Sequence, residues 1–182
     1  MTEKTLEGKK VVMFIAFRNF RDAEYFIPKG ILEEAGVEVK TASTKMGLAM
    51  GAEAGDAVVD FLVENVELAE FDAIIFVGGP ACLEELDNEN SYRIARETIS
   101  NNKVLAAICI SPIILAKAGV LKGKRATVWS SPMDKKAIKI LDENEAIYLP
   151  RPVVSDGKII TANGPSAAEE FGKKIVEVLT RG

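Results

Sequence analysis

The sequence predicts an α/β fold: a single doubly wound, mainly parallel sheet with helices on both faces, plus a small hairpin. Three observations carry this. Short, continuous apolar runs recur at 11–16, 73–77 and 104–108, which is how strands buried on both faces read. Segments with apolar residues at helical spacing lie between such runs. Glycine and proline mark the junctions, as in Gly78-Gly79-Pro80 and at Pro112.

The elements follow in order. Residues 11–16 open the sheet, and Asp22 is placed to cap a helix that runs to about residue 35, where Gly36 stops it. Residues 37–42 read as a second strand. Between 43 and 65 the glycines at 47, 51 and 55 surround short apolar pieces, predicting a hairpin or irregular excursion with 58–62 extended. The strand at 73–77 ends in Gly78-Gly79-Pro80, and a helix over 91–101 spaces Ile94, Ala95, Thr98 and Ile99 on one side. After the strand at 104–108, Pro112 suits the first turn of a helix. Strands are expected over 125–129 and 146–149, with a helix over 134–141 between them. Asp156-Gly157 is a two-residue hairpin signal between 153–155 and 158–161. An amphipathic helix over 167–179 completes the pattern. No repeat, low-complexity tract or long linker interrupts it. Residues 9–182 are therefore expected to form one flavodoxin-like or Rossmann-like sandwich behind an N-terminal tail at 1–8.

Composition narrows the chemistry. The chain has 182 residues, 48% hydrophobic and 27% charged, enough to bury about two-thirds of the unfolded surface in one core. A net charge of -4 gives no basic footprint, so nucleic acid is not an expected partner. No apolar run approaches a membrane span, and residues 2–7 lack the apolar core of a secretion signal. No membrane association and a cytoplasmic location are expected. There is no histidine, which removes Ser-His-Asp and Cys-His-Asp hydrolases and every His-ligated metal site. Two cysteines make neither a disulfide framework nor a structural zinc site. No metal and no cofactor are expected. Chemistry here must run on thiol, carboxylate, hydroxyl, amine or backbone dipoles.

In a doubly wound sheet, ligands gather at the carboxyl ends of the strands. Three pieces of sequence fall there. Cys109 ends the most apolar strand and begins a helix. Such an elbow lifts the side chain above the sheet, draws the thiol toward the thiolate, and offers backbone N–H groups to an oxyanion. The competing reading is a small buried hydrophobe. Glu24 lies in the first turn after strand one, where acidic residues are routine. Its neighbours Tyr25, Phe26 and Ile27 make that turn apolar, which favours a carboxyl that keeps its proton. Gly78 and Gly79 are either turn punctuation or a place where backbone N–H groups approach a ligand with no Cβ between. They are not a dinucleotide fingerprint, because Pro80-Ala81-Cys82 breaks the spacing. Cys82 reads as structural. Trp129 and Tyr25 either wall the pocket or belong to the core.

Several stretches, taken together, resemble the ThiJ/PfpI superfamily, the branch of class I glutamine amidotransferase-like folds that includes the Parkinsonism-associated deglycase. They are Asp22-Ala23-Glu24-Tyr25-Phe26-Ile27-Pro28, Phe71-Asp72-Ala73-Ile74-Ile75-Phe76-Val77-Gly78-Gly79, and Ala106-Ala107-Ile108-Cys109 with Pro112. Ala118-Gly119-Val120-Leu121-Lys122-Gly123 and Asp156-Gly157-Lys158-Ile159-Ile160-Thr161 with Gly164-Pro165 extend the resemblance over nearly the whole chain. It implies Cys109 as nucleophile and Glu24 as its protonated, hydrogen-bonded partner. It further implies an oxyanion pocket from the N–H groups of Gly79 and Ile110, and a homodimer or higher homo-oligomer.

The activity so implied is cofactor-free, glyoxalase-like or deglycase-like chemistry on a small-molecule carbonyl substrate. Cys109 would add to an aldehyde such as methylglyoxal, Glu24 would shuttle a proton between adjacent carbons, and water would release a 2-hydroxy acid. Two departures bear on this. PfpI-type peptidases, which this chain resembles, place histidine directly after the cysteine, where Ile110 stands. The deglycase type has a histidine one strand later, aligned with Trp129. Peptidase activity through a Cys-His pair is therefore not expected. Two readings remain beside carbonyl chemistry: a redox sensor or stress-protective protein oxidised at Cys109, and a binding relic with a silent thiol.

Overall fold

The computed structural model describes residues 5–182. The first four residues of the expected tail, and with them part of the 2–7 segment, lie outside the described residues. Within the rest of that segment Leu6 is buried, and its N–H donates to the Ala35 carbonyl at 2.7 Å.

Twelve strands and six α-helices occur among the described residues. The strands are β1 (Lys10–Phe14), β2 (Arg18–Phe20), β3 (Glu38–Ser43), β4 (Gly47–Gly51), β5 (Asp56–Val59) and β6 (Phe61–Leu62), then β7 (Ala73–Phe76), β8 (Val104–Ile108), β9 (Arg125–Ala126), β10 (Ile147–Tyr148), β11 (Val153–Asp156) and β12 (Ile159–Ala162). The helices are α1 (Asp22–Glu34), α2 (Cys82–Leu86), α3 (Glu89–Ser100), α4 (Pro112–Lys117), α5 (Lys136–Glu143) and α6 (Ala168–Thr180).

Seven strands form the main sheet in the order β11-β12-β8-β7-β1-β3-β6. All neighbours run parallel except β11, which pairs antiparallel with β12 at one edge. The chain passes from β1 outward to β3, then returns to place β7 on the other side of β1. That reversal puts the topological switch point beside β1, where such folds collect ligands.

The apolar runs are buried on both faces because their residues alternate between two cores. Val11, Met13, Ile75, Ala106 and Ile108 face one core with Leu32 of α1 and Phe171 and Ile175 of α6. Val12, Phe14, Ile74, Phe76, Leu105 and Ala107 face the other, against Ile94 of α3, Ile114 of α4 and Leu141 of α5. α1 and α6 approach closely at Gly172, where a Cβ would come within 3.1 Å of Pro28 Cα. No described helix is long and apolar enough to cross a membrane.

The 43–65 excursion is a hairpin, β4 antiparallel to β5, with β2 beside β4 in a separate three-stranded sheet. Three expectations need correction. Asp22 is not the cap of α1; Arg21 occupies that position without a side-chain bond. The Asp22 carboxylate is drawn away, accepting from the N–H groups of Glu53 at 2.9 Å and Gly55 at 2.6 Å. The strand expected over 125–129 stops at Ala126, because the next residues turn to the neighbouring elements: Thr127 N–H donates to Thr161 Oγ1 and Trp129 N–H to the Cys109 carbonyl. At the edge hairpin Asp156 is still paired with Ile159, so the turn sits at Gly157 and Lys158.

Candidate active site

Cys109 follows β8 directly and sits at φ +67°, a left-handed backbone that L-residues avoid. The surrounding chain holds it there. Its N–H donates to the Ala162 carbonyl of β12 at 2.8 Å, and its carbonyl accepts from Trp129 N–H at 2.7 Å. Buried Ser111 closes the turn. Its hydroxyl accepts from Ile108 N–H at 2.9 Å and lies 2.8 Å from the carbonyls of Phe76 and Ile108. The elbow expected from sequence is present. Its thiol is half-buried, on a cavity of about 290 Å³ lined also by Arg21, Gly79, Pro80, Leu83, Ile110 and Trp129.

Glu24 is fully buried in the first turn of α1. Gly78, ending β7, makes room for it. A Cβ there would lie 2.5 Å from Glu24 Oε2 and 2.6 Å from the Cys109 Cβ, so carboxyl and cysteine flank the same point. Neither carboxyl oxygen has a hydrogen bond of regular geometry among the described residues. Burial therefore dominates and raises its pKa to about 7, against smaller opposing effects of the Cys109 thiol, the Arg21 guanidinium and the Gly78 N–H. The carboxyl is desolvated by its seat against Gly78 and Cys109 rather than by the apolar turn around it. Of that turn only Tyr25 is buried; Phe26 and Ile27 are 40% and 42% exposed.

The thiol corrects an expectation. Burial, with the Glu24 charge beside it, pushes Cys109 up from the ordinary thiol value, and the Ile110 N–H opposes this only in part. The helix that follows the elbow, α4, has only six residues, and its short dipole does not offset this burial. The pair thus combines a thiol held toward its protonated form with a carboxyl whose titration burial has moved toward neutrality.

Gly79 has φ +124°, and a Cβ would meet Arg21 N at 2.5 Å and Asn19 O at 2.7 Å, so only glycine fits. Among the described residues, neither Gly79 N–H nor Ile110 N–H donates to a backbone or side-chain oxygen, and both residues line the cavity. Trp129 lines it too. Tyr25 does not: its hydroxyl pairs with Thr41 Oγ1 at 2.7 Å and its ring packs edge-on against Phe20. Cys82 is fully buried beneath the second core, with its thiol likewise pushed up by burial. Sequence reasoning missed Arg21, since one arginine ahead of a helix carries no pattern.

The sequence profile of the DJ-1/PfpI family matches residues 9–178. The chain belongs to the DJ-1/PfpI family. Among DJ-1/PfpI relatives, an uncharacterised protein of Methanocaldococcus jannaschii is 37% identical over 98% of this chain and 86% of its own length. Deglycase PfpI of Pyrococcus furiosus is 31% identical over 92% of this chain and 98% of its own. The crystal structure of a ThiJ/PfpI domain protein from Brachyspira murdochii superposes with a TM-score of 0.90, at 31% identity, covering 97% of this chain and 98% of that one.

Proposed function

We propose that this chain is a cofactor-free enzyme for small reactive carbonyls, with Cys109 as nucleophile and Glu24 as its acid-base partner. The observation that carries the reading is a buried carboxyl with a pKa of about 7 beside an elbow thiol. A group that titrates near neutrality is matched to general-base work, the task an imidazole performs elsewhere. The similarity to a protein named a deglycase supports the same substrate class.

Ionised Glu24 accepts the thiol proton as Cys109 Sγ attacks the aldehyde carbon of a 2-oxoaldehyde. The carbonyl pair moves to oxygen, which the N–H groups of Gly79 and Ile110 stabilise. Glu24 returns the proton to that oxygen, giving a hemithioacetal. It then moves the proton of the sulfur-bearing carbon to the adjacent carbonyl carbon through an enediol, leaving a thioester. Water hydrolyses the thioester to the 2-hydroxy acid and restores the thiol. Reversal of an early glycation adduct begins with the same attack.

Methylglyoxal conversion, followed as 2-hydroxy acid formed, tests the proposal. Cys109→Ala abolishes it, and Glu24→Gln lowers it by about a hundredfold or more. Either variant matching the wild type overturns the mechanism.

The same reading includes a homodimer. The outer face of the β4–β5 hairpin exposes Leu48, Met50 and 68%-exposed Val58, and Phe26 and Ile27 of α1 are exposed as well. A second copy would bury such a face.

A further inference from the structure

Arg21 is the only charged side chain lining the Cys109 cavity among the described residues. Its backbone N–H donates to the Gly78 carbonyl at 3.1 Å, which fixes it beside the Gly78-Gly79 turn. One guanidinium nitrogen, Nη1, pairs with Glu53. Its Nε is buried and has no partner among the described residues. A buried cationic N–H without an acceptor is costly, and the cost is relieved when an acceptor arrives. The remaining walls, Pro80, Leu83, Ile110 and Trp129, are mostly apolar, which strengthens any charge pairing within.

We propose that Arg21 is a specificity-determining residue that binds a carboxylate on the substrate, so that the preferred substrates are short 2-oxoaldehydes that also bear a carboxylate. This rests on the carbonyl reading above and adds its substrate class. Gly79 and Ile110 N–H groups serve the reacting oxygen, which leaves the Nε edge of the guanidinium, the side not taken by Glu53, for a second, anionic group. A planar fork matches a carboxylate better than any single donor does. The cavity, about 290 Å³, suits a molecule of a few carbons. Glyoxylate, a short carboxylate-bearing aldehyde without the adjacent ketone, probes the binding step alone: the Sγ–C bond forms and the carbonyl pair moves to oxygen. The thiol proton reaches that oxygen through Glu24. No oxidant or co-reactant is needed, and the adduct is a reversible hemithioacetal.

The structural alternative is that Arg21 only ties the 52–55 loop to α1 through Glu53, whose other oxygen accepts from Asp22 N–H at 3.1 Å. Alkylation of the full chain separates the two, with mass spectrometry reading Cys109 and Cys82 individually. The rate ratio of iodoacetate to iodoacetamide at Cys109 is expected to exceed that of 2-mercaptoethanol by about tenfold, the scale of one charge-assisted contact. Arg21→Gln brings the ratio down to that of 2-mercaptoethanol, whereas Glu53→Gln, which breaks the tether but keeps the cation, preserves or raises it. Glyoxylate also protects Cys109 from iodoacetamide at lower concentration than neutral glyoxal does. A wild-type ratio equal to that of 2-mercaptoethanol overturns the proposal. So does a Glu53→Gln variant that loses the preference as Arg21→Gln does, or equal protection by the two aldehydes. The alkylation ratio reports anion recognition whether or not carbonyls are turned over, so its failure is distinct from failure of the methylglyoxal test.

Discussion

Replacing Glu24 by glutamine keeps the side chain's shape and removes its charge. In the native chain burial holds this carboxyl's pKa at about 7, against 4.5 for the exposed group. Between those values the folded protein binds a proton that the unfolded chain has released. Folding stability therefore falls as pH rises through this window. At about 1.4 kcal/mol per unit, the cost of carrying the buried carboxylate above pH 7 is ~3 kcal/mol. The glutamine variant escapes that cost. Its stability relative to wild type should rise by ~3 kcal/mol between pH 4.5 and pH 8, or roughly 6–12 °C in Tm for a chain of this size. The neighbouring thiol does not blur the result, since it stays protonated throughout the range. Urea unfolding of both proteins at the two pH values measures the difference. A gap that is the same at pH 4.5 and pH 8 would refute the claim that burial, rather than a hidden partner, governs Glu24.

Other substitutions probe the backbone of the site and its surroundings. Gly79→Ala forces a Cβ to within 2.5 Å of Arg21 N at φ +124° and should cost ~3 kcal/mol or more in urea unfolding; a loss under about 1 kcal/mol would contradict the crowding. Cys109→Gly should be more stable than Cys109→Ala by ~1 kcal/mol, because glycine alone tolerates φ +67° without strain, and the reverse order would deny that strain exists. Ser111→Ala strips the Ile108 N–H of its buried acceptor and should destabilise by about 1–3 kcal/mol, with slower alkylation of Cys109 as the elbow loosens. Val58→Asp should convert a dimer to a monomer in light scattering at micromolar concentration; a monomeric wild type would discount the apolar face as an interface.

The strands most visible in the sequence are those buried on both faces. β1, β7 and β8 feed two cores at once, so nearly every residue in them must be apolar. Isolated elements were harder. Nothing local announces that Thr127 and Trp129 leave their strand to bond Thr161 and Cys109, since both partners are distant in sequence. The carboxylate of Asp22 looked like a helix cap for the same reason: the amides that capture it belong to a loop some thirty positions on. At the site, the elbow was readable because an apolar strand ran directly into a proline-started helix. The protonation of the pair was not. It depends on how deeply Glu24 and Cys109 are desolvated against each other, a quantity set by Gly78 across the sheet rather than by either residue's neighbours.

The peptide groups on both sides of residue 109 are anchored by main-chain contacts, one to Ala162 and one to Trp129, and neither anchor involves the sulfur. The scaffold thus specifies a location more than it specifies an element. A hydroxyl or a selenol installed at this position would inherit the same orientation toward Glu24. That makes the reactive atom itself interchangeable as far as folding is concerned.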